Sequence, residues 1–373
     1  MRILVDYRPA LRARTGVGEY AHELVRAYCA QHNDEVTAFT SSWKDRPSPR
    51  LGQDLRVRVS DHRVPVRLLN ALWHRASWPP VEWLSGGQDV VHSFHPLLIP
   101  ARRAARVVTV NDLFFLTRPD RVRDEIRRDY PALARDHACR ADAVIAISHH
   151  TRRLTIDQLG VAPARIHVCL PGAPTWRRLG SAPNIPPNGY VLFVGTLEHR
   201  KNVGVLLDAF ERLLGGSGPA PRLVLAGRAT PDAEAWLTRL AKPPLAGHAE
   251  HRGYVMDHER EALYAGARVL VLPSLDEGFG LPVLEAMSAG IPVVAAASGA
   301  MPEVVAAAGL LIEPDDVEGL ASALARLLHD DGFATRQALA GLTRARDFDW
   351  RRSAIKLRRA YLDAVAARDR RLR

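Results

Sequence analysis

Cysteine is scarce in this 373-residue chain: Cys29, Cys139 and Cys169 are odd in number, widely spaced and free of any C-x-x-C pair. Neither a disulfide framework nor a cysteine zinc site can be built from them, so a reducing cytoplasm is the expected compartment. Long apolar runs are also absent. The N-terminal apolar run stops at Asp6, too soon for the core of a signal peptide, and no stretch reaches the roughly 18–20 apolar residues of a membrane span. Low-complexity tracts and short-period repeats are missing too. What remains, 47% hydrophobic and 25% charged residues, is the balance of a folded chain long enough for two domains.

Acidic residues are outnumbered, 41 against 51 Lys and Arg, and the net charge of +10 favours an anionic partner: nucleic acid, a membrane surface or a phosphorylated small molecule. The excess is uneven. Segment 101–180 holds fifteen Arg against eight acids and the last 23 residues nine basic residues against two Asp, so contact with anionic membrane through the first half and the tail is expected. No nucleic-acid motif accompanies the charge, and no nucleic-acid partner is expected.

Short β-branched runs alternate with amphipathic stretches: 2–7, 35–40, 89–93, 106–111 and 141–147, then 190–195, 222–227, 267–274 and 292–297. Such alternation predicts parallel βα units, an α/β fold. It breaks at 171–190, where five prolines and three glycines can continue neither strand nor helix. A first domain over 1–175, a linker at 176–189, a second domain over 190–349 and a closing helix within 350–373 follow. Ligands of such domains bind at the carboxyl ends of the strands.

The strongest local signal is SLDEGFGLPVLEAMSAGIPVV, residues 274–294. A turn with Gly278 and Gly280 leads into a helix with Pro282 expected at its first position, which leaves the amides of Phe279, Gly280 and Leu281 free to receive an anion. Glu277 before the turn and Glu285 one helical turn in would repel a bare diphosphate but accept hydrogen bonds from hydroxyls, which points to a nucleotide sugar. A second signal is VGTLEHRKN, residues 194–202, where Arg200 and Lys201 stand at a helix start; cations there are disfavoured by the helix dipole and suit a departing diphosphate. The third is TGVGEYA, residues 15–21, whose Gly16 and Gly18 would let backbone approach a ligand before a helix expected near Glu19. This string also imitates a dinucleotide fingerprint, with Asp34 or Glu35 as its acid.

Other features read as structural. His92/His95 and His248/His251 share a spacing of three, but no third ligand completes a zinc site, so no metal is expected. Residues 347–349 read as surface. The stretch 66–84, rich in Trp and Leu, reads as a packed helix, with a bilayer interface or acceptor groove as its alternative.

Together these segments, with VVTVND at 107–112, ADAVIAIS at 141–148 and HRGYV at 251–255, resemble the retaining glycosyltransferase family 4, and the string from Glu277 to Glu285 is the most specific carrier. The resemblance covers nearly the whole chain and implies the GT-B fold, two Rossmann-like domains facing a central cleft. Within the family the chain looks most like bacterial mannosyltransferases of polysaccharide and lipopolysaccharide assembly.

The resemblance implies that Glu277 binds hydroxyls of the transferred sugar, that Gly278 to Leu281 offer backbone to the sugar and diphosphate, and that Glu285 holds the ribose. It gives the diphosphate to Arg200 and Lys201, loop closure to Gly16 and Gly18, and the base pocket to Tyr254 and Val255. Where many members have His-Asp, this chain has Asn111-Asp112. Asn111 can hydrogen-bond a sugar but cannot exchange protons, Asp112 is left to orient donor or acceptor, and His95 is a second candidate for that contact. The expected activity is transfer of a hexose from a nucleoside-diphosphate sugar, GDP-linked in preference to UDP or dTDP, to a glycan or lipid-linked acceptor, without metal or cofactor. Two alternatives stand beside it: a dinucleotide-dependent oxidoreductase and a non-catalytic sugar-nucleotide-binding protein.

Overall fold

Parallel strands buried on both faces demand near-continuous apolar runs, and RILVD and ARVLVL supply them at the centres of two sheets. The computed structural model describes residues 1–11, 14, 16–119, 124–216 and 221–373. The chain forms two units, Met1–Gly172 with Asp349–Arg373, and Ala173–Phe348. Each is Rossmann-like, a parallel sheet with helices on its faces.

In the first unit, among the described residues, the strands are β1 (Arg2–Asp6), β2 (Glu35–Ser41), β3 (Arg58–His62), β4 (Val90–Ser93), β5 (Ala105–Val110), β6 (Ala143–Ala146) and β7 (Ile166–Val168). They stand in the order β3-β2-β1-β4-β5-β6-β7. The order reverses between β1 and β4, where Ile3 pairs with Val90 and Val5 with His92. On one face Val108, Val110 and Val144 pack on Ala134 and Ala138 of the helix Asp124–Arg140, and further along the same face Leu4, Phe39 and Val91 gather around the buried Trp73.

The helix Trp350–Leu372 belongs to this first unit. Asp349 caps it, its carboxylate accepting the Arg351 N–H at 2.8 Å, and Leu357, Ala360, Tyr361 and Ala364 form its buried face. Part of the basic character of this tail is spent inside the unit: Arg358 pairs with Asp34 and Arg371 with Asp142, each at 3.2 Å.

The second unit orders its strands β10-β9-β8-β11-β12-β13, with β8 (Tyr190–Val194), β9 (Leu223–Ala226), β10 (Ala249–Gly253), β11 (Ala267–Leu272), β12 (Val293–Ala296) and β13 (Leu310–Ile312). Here the reversal falls between β8 and β11. Residues 176–189, expected as a linker, are part of this unit: Trp176 Nε1 donates to Ser288 Oγ at 2.8 Å and the Asn184 N–H to the Gly290 carbonyl at 2.8 Å. Segment 347–349 is not all surface either. Phe348 is buried, with its ring edge-on to Phe279 at 5.5 Å. Among the described residues no helix is long and apolar enough to cross a membrane.

Candidate active site

The reversal of strand order between β8 and β11 opens a crevice at the carboxyl edge of the second sheet, the position where such sheets take ligands. From β8 the chain runs through Gly195 into a 3-10 turn, His199–Lys201, and then the helix Val203–Leu214. From β11 it runs into Ser274 and Glu277. A backbone bond, Leu275 N–H to the Arg200 carbonyl at 2.8 Å, ties the two loops together.

Three of the residues singled out from the sequence meet here. Lys201 Nζ donates to Glu277 Oε1 at 2.5 Å, Arg200 Nη1 to Glu277 Oε2 at 3.2 Å, and Ser274 Oγ to Glu277 Oε1 at 2.7 Å. Burial alone would raise the Glu277 pKa. The charges of Lys201 and Arg200, with the hydrogen bonds from Lys201 and Ser274, outweigh it and hold the carboxyl down at about 2, so it is ionised at neutral pH. Burial also draws Lys201 below the ordinary lysine value, against the pull of Glu277. Arg200 is shared further with Glu198 at 3.1 Å. The two cations therefore already face carboxylates, and a phosphate arriving here would have to share them.

Beside this cluster the helix Leu281–Ser288 begins. Gly280 is its N-cap at φ +92°, a left-handed conformation that favours glycine, and a Cβ there would push on the end of the Met301 side chain. Pro282 occupies the second helical position, one later than expected, where a missing N–H is equally harmless. Among the described residues no protein acceptor is found for the N–H groups of Phe279, Gly280 and Leu281.

The Glu285 carboxylate is buried and accepts from Arg260 Nη2 and Tyr264 OH, both on the helix Asp257–Ala265. Neither of these partners was read from the sequence; both lie on the exposed-looking stretch DHEREALYA, at the helical spacing of four that puts them on one face. Tyr254 and Val255 follow β10, half-buried, with the Arg228 guanidinium 5.2 Å from the Tyr254 ring centre.

The remaining candidates belong to the first unit. The helix expected to begin near Glu19 begins at Gly16. Between β1 and that helix lie residues 7–15, including a 3-10 turn at Arg8–Ala10, too long for the tight strand-to-helix turn of a dinucleotide fingerprint. Thr15 of that string lies outside the described residues. Gly18 is required by packing, since a Cβ would sit 2.5 Å from the Pro9 carbonyl oxygen, whereas Gly16 has open space around it. Asp34, the acid of that fingerprint, instead takes the N-terminal amine at 2.7 Å and the Tyr28 hydroxyl at 2.6 Å.

At the carboxyl ends of β4 and β5, Asn111 Nδ2 donates to the Phe94 carbonyl at 2.7 Å and leaves Oδ1 buried without a partner. Asp112 Oδ1 accepts the Phe114 N–H at 3.3 Å. His95 Nε2 stands 3.4 Å from Asp6 Oδ2 and Nδ1 3.3 Å from Ser93 Oγ. Asp6 itself is fully buried and clamped by Arg8 at 2.7 Å through both carboxylate oxygens. This pair was not read from the sequence, although an acid closing an apolar strand was its signal. His92 is structural: its ring nitrogens face Tyr361 OH and Thr109 Oγ1, each at 2.8 Å. Among the described residues no group of three or more His, Cys, Asp or Glu is placed to hold a metal ion.

This chain is similar in sequence and fold to known proteins. Residues 14–177 match the family described as Glycosyltransferase Family 4 and residues 188–330 that described as Glycosyl transferases group 1. The chain belongs to the glycosyltransferases, with one of these domains centred in each unit. It is similar along its length to O-antigen chain mannosyltransferase B of Escherichia coli, 29% identical over 97% of this chain and 99% of the relative.

Among solved structures it resembles sucrose-phosphate synthase of Thermosynechococcus elongatus, with a TM-score of 0.77 at 20% identity, covering 98% of this chain and 99% of that one. Anabaena HepE in complex with UDP and glucose follows at a TM-score of 0.71 and 18% identity, covering 96% and 98%. At such identities the likeness shows the fold, that of the GT-B glycosyltransferases.

Proposed function

We propose that this chain is a retaining hexosyltransferase that moves mannose, in preference to other hexoses, from a nucleoside-diphosphate sugar to a glycan or lipid-linked acceptor in cell-surface polysaccharide assembly. The observation that carries this reading is the buried Glu277–Lys201–Arg200 cluster set beside the open amides of residues 279–281. Likeness to the E. coli O-antigen mannosyltransferase supports mannose, and with it GDP over UDP or dTDP as the carrier.

In this reading the backbone of Gly278 to Leu281 holds the donor phosphates and sugar, Glu277 accepts from the sugar hydroxyls, and Arg200 and Lys201 take up charge as the diphosphate leaves. Glu285 accepts from the ribose with the lone pairs that Arg260 and Tyr264 leave open, while Tyr254 and Val255 line the base. Gly16 and Gly18 bring the N-terminal loop to the phosphates, and Asn111, Asp112 and His95 orient the acceptor. The departing phosphate takes the acceptor proton on the same face, so Asn111 need not exchange one, and no metal takes part. The enzyme works in the cytoplasm, with the basic first unit against the inner face of the membrane.

A thermal-shift panel tests this reading with GDP, GDP-mannose, UDP, UDP-glucose, dTDP and NADH. A ligand at about 100 times its Kd stabilises by about 2.7 kcal/mol, several degrees for domains of this size. GDP and GDP-mannose are expected to give that shift, and Glu285→Gln to shrink it. A shift with UDP alone would transfer the donor to UDP; a shift with NADH and none with any nucleoside diphosphate would overturn the proposal.

A further inference from the structure

A cavity of about 160 Å³ opens in the first unit between residues 73–80, residues 98–102, the start of β5 and the end of the helix Asp124–Arg140. Arg102, Arg106 and Arg140 line it together with Trp78 and His137, and among the described residues no acidic side chain is part of its walls. At ~30 Å³ per water the space equals about five waters, enough for a phosphate-sized anion and part of a sugar ring but too small for a nucleotide. Arg106 is the second residue of β5 and Asn111 follows its end, about 16 Å further along an extended strand, so the arginines of the cavity stand apart from Asn111, while its wall Trp73 carries the Arg8 guanidinium at 4.9 Å on the other side.

The arginines here are poorly compensated. Arg106 has a side chain only 14% exposed, with Nε buried and lacking a hydrogen-bond partner; the Asp142 carboxylate is 3.6 Å away. That carboxylate is also held by Arg371 at 3.2 Å and by the Arg106 N–H at 2.8 Å, so one acid serves two guanidinium groups. Arg140 pairs with Asp136 at 2.8 Å, but both are about half exposed, where such pairs count for little. The helix end does not need Arg140 either, because Arg165 Nη1 covers the carbonyls of Cys139 and Ala141 at 2.7 and 3.0 Å.

Arg102 is steadied with its guanidinium 5.0 Å from the Trp83 ring centre, and Glu82 beside it spends Oε1 on backbone N–H groups. His137 accepts the Leu98 N–H at Nδ1, which puts the proton of the neutral ring on Nε2 as a donor. Trp78, half exposed, supplies a flat apolar wall.

We propose that this cavity is a second binding site, for a sugar-phosphate group, with Arg102, Arg106 and Arg140 on the phosphate and Trp78 against the sugar ring. Guanidinium forks match phosphate oxygens two at a time, and three of them line this one cavity. The site does not depend on the transfer reaction. Its ligand is either a free sugar phosphate or the same group on a lipid.

Tryptophan fluorescence titration with glucose 1-phosphate, run with GDP present in excess, probes the first source; sedimentation with phosphatidylcholine vesicles carrying a polyprenyl-phosphate glucose probes the second. Arg102→Gln with Arg140→Gln changes two exposed side chains, and each single variant serves if the pair fails to fold. Saturable binding of either probe, weakened at least fivefold in the variants at unchanged melting temperature, is the expected result, and the probe that responds identifies the source. Equal affinity of wild type and variants for both probes, or glucose binding as tightly as its phosphate, overturns the proposal.

Discussion

Lys201 is 8% exposed, and its ammonium faces a carboxylate that is 6% exposed. Such a pair contributes little net stability when intact, because desolvation offsets attraction, but removing one member strands a buried charge. Lys201→Met is therefore expected to destabilise the second unit by about 3–5 kcal/mol in urea unfolding at pH 7. Lys201→Met with Glu277→Gln should recover part of that loss. A single variant as stable as wild type would show that Arg200 and Ser274 alone satisfy Glu277. The residues of this cluster were legible as types: a glutamate before a glycine turn and two cations at a helix start. Their mutual pairing was not, because sequence separates Lys201 from Glu277 by 76 positions and only the adjacency of β8 and β11 closes that gap.

The strands that periodicity found were β1, β2, β4, β5 and β6 in the first unit and β8, β9, β11 and β12 in the second; all are interior to their sheets. The four it missed, β3, β7, β10 and β13, are the four edges. An edge strand buries less and is free to carry charge, as RVSDH and AEHRG do, so neither an apolar run nor a clean alternation marks it. The closing helix was legible from its amphipathic stripe, but its cap was not: Asp349, read as surface, accepts the Arg351 N–H. Asp349→Ala is expected to cost about 1 kcal/mol, read as a lower urea midpoint for the first unit at unchanged slope, with the second unit unaffected. A loss shared equally by both units would mean that the cap is not what the substitution removed.

The two units hold different acid-sensitive groups. In the first, burial pushes His92 down to about 3, from an ordinary 6.5, and His74 to about 4. An imidazole that stays neutral when folded but protonates when unfolded favours folding above about 6.5, and that contribution is lost as the pH falls toward 3. In the second unit Glu277 is held at about 2 against 4.5, so its contribution is present above 4.5 and lost only as the pH falls from there to 2. Acidification should therefore weaken the first unit before the second, giving two melting transitions that separate between about pH 6 and 4.5 in calorimetry. His92→Gln should flatten the pH slope of the first transition alone. Parallel decline of both would place the acid-sensitive groups elsewhere.

Both segments of the first unit flank the second in the chain, and the helix Trp350–Leu372 supplies Tyr361, the partner of the buried His92. The order of synthesis then differs from the order of numbering. Residues 173–348 have all left the ribosome while the first sheet still waits for a helix encoded after them, so the second unit can finish folding first. Until that helix arrives, the nascent first unit exposes the apolar groove it will fill, and this interval is where a chaperone has the most to do.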